Sequence, residues 1–236
     1  MTARAVILAG GKGSRLSPYT AILPKPLMPL SEGKSIIEHV LYGLSSADIF
    51  TVTITLGHLG HLIEAIVGNG EKFGLQVDYT REEYPLGTAG PLSLLKDVKE
   101  ADRILVVNGD TYTDLDYKDT LNRLQGSVEA VITCVKRTID TNYGVISFDE
   151  TGQMTGYDEK PAIDMIVSTG IYGVRGSSLD LVQPNQPLDM PDLMRTLVEN
   201  NRRVACFVSD CEWKDLGRPE DFVALQQDFL LKGDHR

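Results

Sequence analysis

Residues 3–29 read ARAVILAGGKGSRLSPYTAILPKPLMP, and this stretch decides the fold. Its first seven residues form a compact apolar run, which is typical of a β-strand buried on both faces of a sheet. Glycines follow at Gly10, Gly11 and Gly13, where a backbone without Cβ atoms can approach a ligand closely. Because sheets of this kind bind ligands at the carboxyl edge of their strands, we expect this loop to form part of a binding site.

Strand and helix patterns alternate along the first half of the chain. Short apolar or β-branched runs indicate strands, and apolar residues at intervals of three and four indicate helices. This alternation predicts a Rossmann-like, doubly wound α/β fold with a mixed sheet in three α/β/α layers. The predicted segments are strands at 3–9, 50–56, 75–80 and 103–107, and helices at 35–47, 59–67 and 88–98, the last begun by Thr88 as N-cap.

The second half of the chain is less regular. Its predicted segments are strands at 130–135, 143–148, 154–157, 166–174 and 203–208, and helices at 190–200 and 219–231. The sequence has no internal repeat, no low-complexity segment and no Pro/Ser-rich linker. We therefore expect one mixed domain over 1–236.

Composition excludes several classes of protein. The 236 residues carry 23 Lys and Arg against 33 Asp and Glu, a net charge of −10, which argues against a nucleic-acid partner. Cys134, Cys206 and Cys211 fit no metal-binding spacing and are interpreted as reduced thiols. Since residues 1–10 do not resemble a signal peptide and no apolar run approaches the roughly 20 residues that span a bilayer, we expect a cytoplasmic protein without membrane association.

Two familiar phosphate-binding motifs do not fit the glycine-rich loop. A G-x-G-x-x-G motif starting at Gly11 would need a glycine where Leu16 stands, and a P-loop ending at Ser35 would need one where Met28 stands. The loop nevertheless adds two cations, Arg15 and Lys25, which suit a polyphosphate. For each cation taken alone, a surface salt bridge is the commoner role.

The stretch VILAGGKGSRLSPYTAILPKPLMPL resembles the signature of the sugar-1-phosphate nucleotidylyltransferases, or NDP-sugar pyrophosphorylases. The usual form is GGxGTRL followed by PKPL, and Ser14 keeps a hydroxyl where the family has Thr. Further family motifs follow in the same order along nearly the whole chain. They are EEYPLGTAGP at 82–91, NGD at 108–110, YG at 143–144, EKP at 159–161, STG at 168–170 and WKDLGRP at 213–219.

The resemblance implies the nucleotide-diphospho-sugar transferase fold and a Mg²⁺-dependent reaction of an NTP with a sugar 1-phosphate. It assigns nucleotide binding to the half at 1–115 and sugar-phosphate binding to the half at 116–236, and it allows a homodimer. The residues it points to are as follows: catalytic Arg15, Lys25 and Asp110; nucleotide-binding Leu8, Ala9, Gly10, Gly11, Gly13, Ser14, Arg15, Glu82, Pro85, Gly87 and Thr88; sugar-phosphate-binding Tyr143, Gly144, Glu159, Lys160, Ser168 and Thr169; and metal-binding Asp110 and Asp215.

Several alternatives stay open. The stretch at 82–95 is most similar to mannose-1-phosphate and heptose-phosphate guanylyltransferases, which favours GTP, but thymidylyl-, uridylyl- and cytidylyltransferases of glucose 1-phosphate share most motifs. A non-catalytic homologue that binds NDP-sugar is a further reading. A glycosyltransferase would use a D-x-D motif, and Asp114-Leu115-Asp116 has that form. We interpret Asp114 instead as a turn residue and Asp116 as a helix N-cap.

Overall fold

The computed structural model describes residues 3–31, 34–217, 222–223 and 225. Its strands are β1 (Ala3–Ala9), β2 (Pro29–Ser31), β3 (Lys34–Ser35), β4 (Thr51–Leu56), β5 (Gln76–Arg81), β6 (Arg103–Asn108), β7 (Thr111–Thr113), β8 (Val128–Asp140), β9 (Val145–Phe148), β10 (Met154–Asp158), β11 (Ala162–Arg175), β12 (Arg203–Val208) and β13 (Trp213–Asp215). Its α-helices are α1 (Ile36–Ser46), α2 (Gly60–Val67), α3 (Tyr117–Asn122) and α4 (Met190–Glu199).

A seven-stranded sheet in the order β12-β8-β11-β6-β1-β4-β5 forms the centre of the molecule. Strand β1 runs parallel to both β4 and β6. Strand β11 runs antiparallel to β6 and β8, so the sheet is mixed. The predicted α/β fold class is confirmed.

The chain reverses its direction of travel across the sheet at β1. It continues from β1 to β4 and β5 on one side, then returns to β6 on the other. Leu8 lies opposite Asn108, and the Gly109 amide donates to the Leu8 carbonyl at 2.9 Å. The carboxyl ends of β1 and β6 therefore open together at a topological switch point, where α/β sheets bind ligands.

Alternate residues of β1 enter two separate cores. Ala5 and Ile7 pack in a buried cluster that also takes in apolar residues of α1, α2 and α3. Val6 packs in a second cluster, which includes the buried residues of α4. Since each face of the sheet is covered by helices, the predicted three α/β/α layers are present.

The predicted helix over 88–98 is wrong. One 3₁₀ turn, Gly90–Leu94, stands there instead, with Pro91 in its first turn. The Ala89 and Gly90 amides both donate to the Leu188 carbonyl, at 2.8 and 3.0 Å, so these donors serve a tertiary contact. A distant segment of the chain thus supplies the partner that a local helix would have needed.

Strands β8 and β11 are longer than predicted, because each continues past the central sheet. Their far ends pair with each other, for example Ile139 with Ile163, and form a projecting two-stranded arm. The polar and charged residues of these ends interrupt the apolar pattern from which strands were predicted. Beyond the arm, β9 and β10, which match the strands predicted at 143–148 and 154–157, pair as an antiparallel hairpin.

The described helices are short, with 11, 8, 6 and 10 residues in chain order. None of the helices in the described ranges is long and apolar enough to cross a membrane. The helices predicted over 35–47, 59–67 and 190–200 are present with slightly shorter bounds. The helix predicted over 219–231 lies largely outside the described residues.

Candidate active site

The loop after β1 is folded back on itself by short 3₁₀ turns at Ser14–Leu16 and Lys25–Leu27. Gly13 has φ +61°, in the left-handed region, and a Cβ there would lie 2.9 Å from Thr20 Cγ2. The Thr20 hydroxyl donates to the Gly13 carbonyl at 3.0 Å. This glycine therefore fixes the path of the loop that carries both predicted cations.

Lys25 and Asp110, two of the predicted catalytic residues, are in direct contact. The Lys25 ammonium forms an ion pair with Asp110 Oδ2. Lys25 is buried between Pro24 and Pro26, while Asp110 follows β6 and stays partly exposed. The pair joins the glycine-rich loop to the end of β6 at the switch point.

Asp215 lies beside Asp110, because β13 pairs with β7. In this antiparallel register Asp215 is opposite Thr111, the residue that follows Asp110. Trp213 Nε1 donates to the Thr169 carbonyl at 2.8 Å, which anchors β13 to β11. The backbones that carry the two predicted metal-binding aspartates are thus held side by side by strands about 100 residues apart in sequence.

Arg15 joins the same group through Gly217. A Cβ at Gly217 would lie 3.1 Å from Arg15 Nη1 and 2.9 Å from Asp215 Oδ1. The Gly217 amide donates to that same Asp215 oxygen at 2.9 Å. The missing side chain at 217 lets the guanidinium and the carboxylate share this space, so Arg15 and Asp215 lie near each other at the end of β13 that pairs next to Asp110.

The donor set fits a hard divalent cation that is completed by other ligands. Asp110 and Asp215 offer carboxylate oxygens, the donor type that Mg²⁺ prefers. The described part of the chain holds no group of three or more His, Cys, Asp or Glu side chains placed to bind a metal. Such an ion would take its remaining ligands from phosphate oxygens and water.

Glu82 lies against the glycine turn on the other side of β1. A Cβ at Gly10 would clash with its carboxylate, and Glu82 Oε2 accepts a hydrogen bond from the Leu86 amide at 2.8 Å. Burial raises the pKa of Glu82, a shift that the Leu86 hydrogen bond opposes. Glu82 therefore closes the start of the loop at 82–90 and places an acceptor beside the glycine turn.

Packing within the protein requires a glycine at position 87. The sequence resemblance implies that it binds the nucleotide. Its φ is +77°, and a Cβ there would lie 2.6 Å from the Leu188 carbonyl oxygen. The loop at 82–90 is therefore pressed onto the segment that leads into α4.

The first group of predicted sugar-phosphate contacts lies at the base of the β9–β10 hairpin. Tyr143 is 81% exposed, and a Cβ at Gly144 would lie 2.7 Å from Tyr157 Cζ. The Tyr157 hydroxyl donates to Glu159 Oε2 at 2.9 Å, and Lys160 is exposed with φ +47°. The fold thus brings Tyr143, Gly144 and Glu159 together, with Lys160 next in the chain.

The second group, Ser168 and Thr169, borders the strand that leads to Asp110. Gly170 has φ +76°, and a Cβ there would lie 2.9 Å from Asn108 Cγ. Ser168 is exposed, but Thr169 is buried and its hydroxyl donates to the Thr133 carbonyl at 2.9 Å. In this conformation the Thr169 hydroxyl serves the sheet and retains only acceptor capacity for a ligand.

The two aspartates of the D-x-D form have structural roles. Asp116 Oδ1 accepts from the Lys118 amide at 2.9 Å and caps α3, as predicted. Asp114 Oδ1 accepts from the Glu212 amide at 2.7 Å. These contacts disfavour a metal site of the glycosyltransferase type.

Sequence reasoning missed Arg137, which supports the site from the arm. Its Nη2 donates to the Trp213 carbonyl at 2.8 Å, and its guanidinium lies 5.3 Å from the centroid of the Trp213 ring. Position 137 lies beyond the strand predicted at 130–135. The length of β8 and the pairing of β13 are both needed to find it, and neither is encoded locally.

Comparison with known proteins places this site in a family. The nucleotidyl transferase family profile matches residues 4–231. The UTP–glucose-1-phosphate uridylyltransferase of Synechocystis sp. is 31% identical, over 93% of this chain and 61% of that protein. The mannose-1-phosphate guanylyltransferase of Mycobacterium tuberculosis is 30% identical, over 97% of this chain and 65% of that protein. The chain thus spans somewhat less than two thirds of the length of these relatives.

A solved structure matches over nearly the whole of both chains. HddC from Yersinia pseudotuberculosis, crystallised in complex with GMP-PN, superposes with a TM-score of 0.74 at 26% identity, over 97% of this chain and 100% of that chain. The family predicted from the motifs is confirmed by the profile match, by the relatives and by the fold. This chain belongs to the nucleotidyl transferase family.

Proposed function

We propose that this chain is a sugar-1-phosphate nucleotidylyltransferase, an enzyme that makes an NDP-sugar and pyrophosphate from an NTP and a sugar 1-phosphate. The observation that carries the proposal is that two pairs, Lys25 with Asp110 and Arg15 with Asp215, lie on neighbouring strands at the switch point of the sheet. Two cations beside two carboxylates suit a reaction between two phosphate-bearing anions.

In this reaction a phosphate oxygen of the sugar 1-phosphate attacks the α-phosphorus in line, and the pyrophosphate leaves. Because both reactants are anionic, alignment and charge neutralisation are the main tasks. Lys25 would contact the α-phosphate, since its ammonium already lies at the carboxyl end of β6. Arg15 would hold the leaving pyrophosphate with its planar guanidinium.

Mg²⁺ belongs to the proposal as the cofactor. Asp110 and Asp215 would hold it, and the ion would neutralise phosphate oxygens as charge builds up in the transition state. Lys25 is ion-paired with Asp110 Oδ2, so both the substrate phosphate and the metal ion would bind next to this pair.

GTP is the proposed nucleotide, and Glu82 is the residue that supports this choice. Guanine presents two adjacent N–H donors on its Watson–Crick edge, which a carboxylate can accept together. Uracil and thymine present carbonyl acceptors on both sides of their single N–H, which a carboxylate would repel. Glu82 lies beside Gly10 and accepts from the Leu86 amide, so its carboxylate borders the glycine-rich loop. The names of the Mycobacterium relative and of the Yersinia complex agree with this base, whereas the Synechocystis relative keeps uridylyl transfer as the second candidate.

The sugar partner in the proposal is a mannose- or heptose-type 1-phosphate. Lys160 would bind its phosphate, Glu159 would accept from sugar hydroxyls and Tyr143 would cover the ring with its exposed side chain. The proposal includes a single domain over 1–236 acting in the cytoplasm. The free state of all three cysteines agrees with a reducing compartment.

A pyrophosphate-release assay tests the proposal. Purified protein is incubated with Mg²⁺ and pairs drawn from GTP, UTP, dTTP and CTP with mannose, heptose and glucose 1-phosphates. We expect release to be fastest with GTP and to fall about 100-fold or more in Asp110→Ala. Asp116→Ala, which removes a helix cap outside the site, is the matched control. No release with any pair would refute the activity and favour a protein that only binds NDP-sugar.

A further inference from the structure

The loop at 82–90, here called the base loop, is held from behind by the segment at 183–190. The Leu188 amide donates to the Leu86 carbonyl at 2.9 Å, and the Leu188 carbonyl accepts from the Ala89 and Gly90 amides. The Tyr84 hydroxyl donates to the Asn185 carbonyl at 2.8 Å. Two stretches about 100 residues apart in sequence are thus paired along their backbones.

Hydrogen bonds between Thr88 and the start of α4 cross this pairing. Asp189 stands at the N-cap position of α4, yet its Oδ1 accepts from the Thr88 amide at 3.0 Å and from the Thr88 hydroxyl at 3.3 Å. The Thr88 oxygen in turn accepts from the Met190 amide, the first of α4, at 2.7 Å. Thr88 therefore caps α4 while Asp189 fixes Thr88.

The glycines of the base loop show how closely the two stretches approach. A Cβ at Gly87 would lie 2.7 Å from Asp189 Oδ1, and one at Gly90 would lie 2.8 Å from the Gln186 carbonyl oxygen. No larger residue fits at either position without displacing the loop. The backbone at 87–88 is therefore set by Asp189 and by the carbonyls next to it.

We propose that Asp189 is a positioning residue for the nucleotide, acting through Thr88. This inference rests on the proposed function and on the nucleotide-binding role that the sequence resemblance implies for Gly87 and Thr88. Asp189 belongs to a different part of the structure from the Lys25–Asp110 pair and Asp215, which would perform the transfer. Loss of its carboxylate should therefore weaken nucleotide binding and leave the chemical step intact.

Three variants test the proposal. Asp189→Ala removes the acceptor, and Asp189→Asn keeps an oxygen at the same place. Asp116→Ala is the control, because Asp116 Oδ1 likewise accepts from a backbone amide, that of Lys118 at the start of α3. Steady-state kinetics give KM for each substrate and kcat. Hydrogen exchange gives the protection of the Thr88, Ala89 and Gly90 amides without any turnover.

We expect Asp189→Ala to raise KM for the NTP roughly fivefold or more, in line with the loss of hydrogen bonds to a charged acceptor. Its kcat and its KM for the sugar phosphate should stay within about twofold of wild type, and exchange at 88–90 should accelerate. Asp189→Asn should restore most of the wild-type KM. Asp116→Ala should lower Tm by a few degrees, as Asp189→Ala should, and leave every kinetic constant unchanged.

Specific results would overturn the proposal. An unchanged KM for the NTP in Asp189→Ala refutes it, as does a rise of similar size in Asp116→Ala, which would show a general effect of lost stability. Unchanged exchange at 88–90 refutes the positioning contact itself. A wild-type protein that releases no pyrophosphate refutes the proposed function instead, and the exchange measurement still decides whether Asp189 holds the base loop.

Discussion

At the scale of single residues, the ion pair of Lys25 with Asp110 is the most informative contact. The Lys25 side chain is 7% exposed, whereas the Asp110 side chain is 32% exposed. The two partners therefore depend on each other unequally. A buried ammonium needs its carboxylate, while a carboxylate that reaches water can be solvated without its ammonium.

This asymmetry predicts different costs for removing each partner. Asp110→Ala should lower the free energy of unfolding by about 3 kcal/mol, because it leaves a buried charge unpaired. Lys25→Met should cost about 1 kcal/mol, because the methionine fills the space and water reaches Asp110. Urea denaturation of both variants measures the difference. Equal losses, or a larger loss in Lys25→Met, would contradict the arrangement.

Gly217 provides a second test at this scale. A Cβ there would approach both Arg15 Nη1 and Asp215 Oδ1, so Gly217→Ala should push the guanidinium and the carboxylate apart. Because small displacements of catalytic groups are costly, we expect kcat/KM to fall roughly 10- to 100-fold. Gly156→Ala is the matched control, since a Cβ there meets Ser147 at an ordinary 3.7 Å. Wild-type kcat/KM in Gly217→Ala would refute the proximity of Arg15 to Asp215.

At the scale of elements, α1 supports the site strand β7 through His39. The His39 Nε2–H donates to the Thr113 carbonyl at 2.7 Å, and the ring stacks on Tyr112 with 4.7 Å between centroids. Burial lowers the pKa of His39 below its usual 6.5, with the Thr113 hydrogen bond acting in the opposite direction. The neutral imidazole is therefore the form that the folded protein prefers.

Below pH 6.5 the unfolded chain binds a proton at His39 more readily than the folded protein does, so protonation favours unfolding. The contribution of His39 to stability is complete above pH 6.5 and is lost as the pH falls through the lowered pKa. The free energy of unfolding, measured by denaturation at pH 7.5 and at pH 5.5, should fall less between these two pH values in His39→Gln than in wild type. The exposed His58, changed to Gln, is the control, and an unchanged pH dependence in His39→Gln would refute the assignment.

The elements also show where sequence reasoning succeeds and where it fails. Strand β1, helix α1 and the cap at Asp116 are encoded locally, by an apolar run, a helical period and a side chain that reaches the nearby Lys118 amide. Thr88 carries the same kind of N-cap signal, but the helix it caps is α4, about 100 residues later. Composition near 88–98 cannot reveal the Leu188 carbonyl that takes the amides of this segment.

At the scale of the whole molecule, the net negative charge of the chain bears on which phosphate-containing partners it can bind. A net charge of −10 argues against polymeric nucleic acid, yet Arg15 and Lys25 lie on one loop, each beside an aspartate. Motif order predicted these residues and the two aspartates from the sequence. Their mutual geometry depends on the pairing of β13 with β7, which puts Asp215 opposite Thr111 and which no local pattern encodes.

Isotope labelling tests whether a sugar phosphate oxygen displaces pyrophosphate from the NTP. The protein is given GTP and Mg²⁺ with a sugar 1-phosphate that carries ¹⁸O in its phosphate, and the products are followed by ³¹P NMR. We expect an NDP-sugar with ¹⁸O in the α–β bridge and equimolar pyrophosphate without label. No labelled NDP-sugar from any NTP and sugar 1-phosphate pair, or release of orthophosphate in its place, would contradict this displacement.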